Sequence, residues 1–214
     1  MKSIILHDFE VRNALKNDVI QIRRPVKYHD VYGNTERDIE MVRMTESGFE
    51  LRFHTDNVAL IKCPFGQPGD QLWVKETWCT HNDMADVFEQ NLIPGYYYKA
   101  DGGSWINDKE IAKWRSPIIM PREASRITLE VEGVRVEPVQ NINHEDAVQE
   151  GVIDWICNEY SKGTYLDNAM RGAACSKPER TFALLWNSIY AKKGFGWDNN
   201  LPVWVGKFKV VERK

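Results

Sequence analysis

Cysteine is scarce and unpatterned in this sequence: Cys63, Cys79, Cys157 and Cys175 are the four among 214 residues. None forms a C-x-x-C pair, and no histidine stands at zinc-finger spacing from them, which excludes the common structural zinc arrangements. In a chain of this length without a secretory leader they read as reduced, mostly buried thiols. The histidines His7, His29, His54, His81 and His144 are scattered and never make H-E-x-x-H, so neither a metal nor a cofactor is expected. Long apolar runs are missing too. No stretch approaches the roughly 18 residues of a membrane helix, and Met1 to Asp8 meets a charge before a leader core could form. Both absences point to the cytoplasm. A strong charge of one sign is also lacking: the net charge is −3 and the pI near 6.0. Proteins that coat duplex nucleic acid are usually strongly basic, so extensive phosphate coverage is excluded while local basic patches remain open. Gly66-x-x-Gly69 lacks the Lys-Ser/Thr ending of a phosphate loop and reads as a turn.

What is present is enough apolar material for a core. Hydrophobic residues make up 43% of the chain, and the length fits one domain over residues 1–214 with long insertions. Period-two alternation marks strands at Gly48 to Phe53, at Arg126 to Val131 continuing over Val134 to Val136, and at Val203 to Val211. A shorter one, Leu72 to Lys75, follows the turn-rich Pro64 to Asp70. Helices are expected from Phe9 to Lys16 with Asp8 as cap, and from Asn143 to Gly151 with an asparagine cap and a closing glycine. A third is expected from Glu179 to Tyr190, where Phe182, Leu185, Trp186 and Ile189 share one face. The order helix, strands, helix, helix, strand gives an α+β chain with an antiparallel sheet or barrel. Two polar or mixed stretches, at about 81–114 and 154–178, read as insertions, and loops of that length are commonly functional lids.

Cations interleave with aromatic rings at several expected strand ends. Arg23, Arg24 and Lys27 flank Pro25. Lys75 and Glu76 lie between Trp73 and Trp78. Arg122, Ser125 and Arg126 lead into a strand, and Tyr96 to Tyr98 form an aromatic run. Arginine donates two parallel hydrogen bonds to a phosphate or carboxylate, and an aromatic face supports a stacked base by about 1–3 kcal/mol. Such a set suits a nucleotide. The same residues fit a structural use, with the arginines paired to acids and the indoles in the core, and on spacing alone that use is the commoner. Glu150 falls at a helix C-terminus, where a carboxylate gains nothing from the helix dipole.

Six blocks in order resemble the ASCH domain family, and more narrowly its larger phage- and prophage-encoded members. They are residues 21–27, Cys63 to Trp78, Tyr98 to Gly102, Met120 to Glu130, Glu145 to Val152, and Trp197 to Phe208. The resemblance implies a PUA-like β-barrel flanked by a few helices, with a cleft between barrel and helices for RNA or a nucleotide. Some small members hydrolyse N4-acetylcytidine through a Lys and a Thr in a G-x-K-T-x-T-x-R-like segment and a Glu further along. Arg23 and Arg24 match the basic end of that segment and Glu150 matches the Glu, while Val19, Ile20 and Ile22 occupy the stretch where Lys and Thr would fall.

Three readings follow. The first is a module binding RNA or a modified nucleoside, with Arg23, Arg24, Lys75, Glu76, Arg122, Ser125 and Arg126 as ligand contacts, Trp78 and Tyr98 as stacking faces, and Glu150 as acceptor. The second is a hydrolase of acylated nucleosides or a ribonuclease, with Lys75 and Glu150 as the acid–base pair. The third is a phage accessory protein acting on a host protein, which would require an exposed apolar patch.

Overall fold

The computed structural model describes residues 1–28, 39–45, 48–53, 58–80, 95–102, 113–153, 155–156 and 177–214. Most of both expected insertions, 81–94 with 103–112 and 154 with 157–176, lies outside the described residues, as do Cys157 and Cys175. Cys63 is half-buried and Cys79 buried, and neither is in a disulfide.

The chain is α+β, as its element order implies. Among the described residues ten strands are present: β1 (Lys2–Ile5), β2 (Val19–Pro25), β3 (Ile39–Thr45), β4 (Gly48–Phe53), β5 (Val58–Ile61), β6 (Gln71–Lys75), β7 (Trp78–Thr80), β8 (Tyr96–Tyr98), β9 (Ile127–Pro138) and β10 (Pro202–Arg213). The α-helices are α1 (Asp8–Lys16), α2 (His144–Gln149) and α3 (Pro178–Tyr190). A five-stranded sheet runs in the order β1-β6-β9-β10-β2, with β3-β4-β5 and β7-β8 as smaller sheets. β1 pairs parallel to β6, and every other named pairing is antiparallel. Among the described residues no pairing closes the large sheet into a barrel.

Alternation along each strand sorts the layers. Ile20 and Ile22 of β2, Leu129 and Val131 of β9, and Trp204 and Phe208 of β10 share a core with Phe49, Leu51 and Phe53 of β4. Each such side chain stabilises the fold by about 1.5–3 kcal/mol on burial. Val203 and Val205 of β10 point the other way and meet Phe182, Leu185, Trp186 and Tyr190 of α3. The expected apolar face of α3 is thus the face that packs. At Gly206 a β-carbon would come within 2.6 Å of the Phe208 ring and 2.7 Å of Phe65, two rings that already meet edge-to-face at 5.3 Å. Only glycine fits where β10 passes this pair.

Two local expectations need adjustment. Helix α1 begins at Asp8, so His7 and not Asp8 occupies the cap position. The Glu10 carboxylate accepts the His7 backbone N–H at 2.8 Å, which satisfies a donor the first turn would otherwise leave open. The cation-rich segment at 22–27 lies mostly within a strand, β2, since alternation hides each arginine on a different side of the sheet. The Asn143 cap holds, its side chain accepting from Asp146 N, and Gly151 ends that helix with a φ of 81°. No helix among the described residues is long and apolar enough to cross a membrane.

Candidate functional site

Arg23 projects from β2 toward the helices and has no exposed side-chain surface. Its Nη1 donates to Glu150 Oε1 at 2.8 Å, and its Nη2 donates to Glu137 Oε1 at 2.6 Å and Asp146 Oδ2 at 2.9 Å. The Arg23 backbone N–H reaches the second Glu150 oxygen at 3.1 Å. Arg135 shares the cluster, donating to Glu137 at 2.9 Å and Asp146 at 2.7 Å. Three carboxylates therefore meet two guanidiniums. Burial pushes the carboxyl of Glu150, the most enclosed of the three acids, up to about 7, against the pull of Arg23. Arg24, on the neighbouring position, grips Glu10 of α1 through two bonds of 2.6 and 2.8 Å and also donates to the Ile5 carbonyl at 3.2 Å. Burial disfavours charge on both partners, yet the Arg24 guanidinium holds the Glu10 carboxyl below its ordinary range.

The Glu150 shift has a definite sign. Its folded pKa lies above the ordinary 4.5, so the folded chain keeps a proton that the unfolded chain releases. Stability from this group is full below about 4.5 and declines as pH rises through about 7. Glu150→Gln preserves the neutral shape and removes the titration. The melting-temperature deficit of Glu150→Gln relative to the parent is expected to narrow between about pH 5 and about pH 8. A deficit that stays constant across that range would contradict a protonated Glu150.

A second cluster lies around β7 and β8. Glu76, 1% exposed, accepts two bonds of 2.9 Å from Arg126, and Arg126 also reaches Asp101 at 2.6 Å. The Arg126 guanidinium lies 4.0 Å from the centre of the Tyr98 ring, and the Tyr98 hydroxyl donates to the Ala124 carbonyl at 2.7 Å. Trp78 pairs with Tyr98 across the two strands. Its indole is buried, with Arg115 over the ring at 5.1 Å. Ser125 is buried and donates to the Val74 carbonyl at 2.8 Å.

Lys75 and Arg122 stand apart from both clusters. Lys75 Nζ donates to the Ile118 carbonyl at 2.7 Å. Both cations lie over Trp73, at 5.0 and 5.6 Å from its ring centre. Among the described residues neither has a carboxylate partner. The cations expected to converge in one hollow are thus divided: Arg23, Arg24 and Arg126 are matched to acids inside the fold, and Lys75 and Arg122 lie outside it. Lys75 and Glu150 have separate partners and share no contact.

A cleft of about 430 Å³ opens where the N-terminus of α1 passes between the β6–β7 connection and α3. His7, Asp8, Arg12, Thr77 and Trp155 bring polar and ring groups to its walls, and Leu185 and Ile189 of α3 supply an apolar side. That volume lies within the range of small-molecule sites. The His7 ring stacks on Phe9 with centres 5.8 Å apart. Burial lowers the His7 pKa, so its imidazole is neutral near pH 7 and offers one donor and one acceptor. None of the residues expected from sequence to contact a ligand lines this cleft, although Thr77 lies between Glu76 and Trp78. The signal for His7 was Glu10 three residues on, the spacing of a capping pair. Trp155 stood in a stretch read as an insertion. The chain matches no family model, no curated protein and no solved structure.

Proposed function

We propose that the chain is a cytoplasmic PUA-like module of ASCH type that binds a nucleoside, free or at the end of an RNA strand, in the cleft beside α1. The observation that carries this reading is the make-up of that cleft. Trp155 lines the same hollow of about 430 Å³ as His7, Asp8, Arg12 and Thr77. A nucleobase needs both elements, a face to stack on and donors and acceptors along its edge. The core shared by the two larger sheets and α1, with α3 packed on the other face of β10, and the cleft beside α1 and α3, support the PUA-like assignment. Arg23, Arg24, Glu76 and Arg126 then build the walls, and the ligand contacts pass to residues at the cleft surface.

Among the described residues lining the cleft, Arg12 is the one cation. Binding through it neutralises about one phosphate, so affinity falls only slightly with salt, with a logarithmic slope of about one or less. Titration with cytidine, N4-acetylcytidine and a short single-stranded RNA, followed by isothermal calorimetry, tests the reading. Trp155→Ala is expected to weaken the bound ligand by about 1–3 kcal/mol, and Thr77→Val by less. Mass spectrometry of the same mixtures reports any turnover of the acetylated base. Unchanged affinity in Trp155→Ala, or a steep salt dependence, would place the ligand elsewhere.

A further inference from the structure

Among the described residues β1 is the outer strand of the five-stranded sheet, with β6 on one side; on the other, the Ile5 carbonyl accepts from Arg24 at 3.2 Å. Its Ile4 points into the core, while Ser3 and Ile5 face outward beside Trp73 and Lys75 of β6. On this outward face large aliphatic side chains lie open: Met1 is 68% exposed, Ile5 44%, Ile118 69% and Ile119 64%. They flank two cations that lie over Trp73. Lys75 Nζ bonds the Ile118 carbonyl at 2.7 Å, Arg122 Nη2 lies 3.7 Å from Met1 Sδ, and both cations lie over Trp73. Each end of β1 opens onto a hollow, the cleft at Ile5 and a shallow depression of about 520 Å³ at Met1 and Lys2.

We infer that this face docks an extended segment of a partner protein, bearing alternate aliphatic and acidic side chains and lying along β1. The edge left at Ser3, beyond the Ile5 carbonyl that Arg24 occupies, supplies a backbone donor and acceptor that fix such a segment in register, and the outward side chains select what it carries. Lys75 and Arg122, with no carboxylate partner among the described residues, select for acid. The aliphatic groups select for protein over nucleic acid. Bases stack on rings, and the Trp73 ring is already taken by the two cations. A patch this open and apolar on one strand edge also invites self-association unless something covers it.

The test uses the whole chain and a fluorescein-labelled short peptide alternating valine and glutamate, with a valine–lysine peptide and a single-stranded oligouridine as controls. Fluorescence polarisation is expected to show binding of the valine–glutamate peptide alone. Affinity is expected to fall by about tenfold or more in Ile118→Ser with Ile119→Ser, and in Lys75→Glu with Arg122→Glu. The charge-reversed pair is expected to take up the valine–lysine peptide instead. Ile118, Ile119 and Arg122 are exposed and Lys75 is half-buried, so unchanged cleft binding by cytidine is expected in both variants, and unchanged melting in Ile118→Ser with Ile119→Ser. Three outcomes overturn the inference: no peptide bound, or both peptides bound equally by the parent; oligouridine bound and lost in the same variants; or a dimer, seen by sedimentation, that Ile118→Ser with Ile119→Ser disperses.

Discussion

Arg23→Ala is expected to destabilise the fold by about 3–5 kcal/mol, the cost of removing one partner from a buried ion pair. The guanidinium has no exposed surface and reaches Glu150, Glu137 and Asp146 at 2.6–2.9 Å. Alanine would leave Glu150 without its guanidinium partner and with only the backbone N–H of position 23, in a place where burial already holds its carboxyl near 7. For a domain of this size each kcal/mol moves the melting temperature by about 2–4 °C, so a fall on the order of 10 °C is expected by calorimetry or urea titration. Arg23→Lys should recover little, because one ammonium cannot reproduce the fork that reaches three carboxylates. Arg23→Met combined with Glu150→Leu should recover more, since it removes the most enclosed acid with its cation, leaves Glu137 and Asp146 to Arg135 and keeps the volume. A loss below about 1 kcal/mol in Arg23→Ala would match an exposed ion pair instead. The variant therefore separates two roles for Arg23. A ligand contact would lower affinity at unchanged stability, and the network described above lowers stability first.

The same residue shows where a sequence stops being legible. Strands β4, β9 and β10 and helices α1, α2 and α3 were readable because their signals are local: alternation or helical spacing, bounded by glycine, proline or a cap. The strands β1, β5, β7 and β8 are three or four residues long, too short for a period to declare itself. Their partners supply the reason for them. The charge pattern was visible but its meaning was not. Arg23 and Glu150 are 127 positions apart and Arg126 and Glu76 are 50 apart, so each cation looks unpartnered in sequence. Only the register of β2 against β10, and of β10 against β9, brings Arg23 to the strand that carries Glu137. The reading that arginines pair with acids and indoles fill the core describes Arg23, Arg24, Arg126 and Trp78. The expected interleaving of cation and ring survives at Trp73, Lys75 and Arg122, on the outer face.

The cleft was hidden for a related reason. His7 is the cap and Asp8 the first residue of α1, Thr77 comes from a two-residue link between strands, and Trp155 from a segment with no pattern of its own. None of them carries a motif, and each is ordinary until the fold sets it opposite the others. Loops on a rigid scaffold are where such groups usually gather. Here the scaffold is rigid because its charges are consumed internally. Glu10, through Arg24 on one side and the His7 N–H on the other, ties the cleft wall to the sheet.

Arg126→Met tests the second network and is expected to cost about 3 kcal/mol at neutral pH. Methionine keeps much of the length, so the loss reports charge and hydrogen bonds more than packing. Glu76 would then be a buried carboxylate with no cation against it, and burial already pushes its pKa up even with Arg126 in place. The folded variant answers by binding a proton that the unfolded chain releases. A carboxyl whose folded pKa is raised contributes its stability below the ordinary value and loses it as pH rises through the folded one. The deficit of Arg126→Met is therefore expected to be smaller near pH 5 than near pH 8, and Glu76→Leu added to it should remove the pH dependence and restore part of the stability. Tyr98 gives an independent readout. Burial pushes its hydroxyl up to about 12, against the pull of Arg126, and without that cation its ultraviolet titration should move higher still. A deficit identical at both pH values would mean that Glu76 is not the group left exposed to the loss, and that Arg126 stabilises the fold through its contact with the Tyr98 ring.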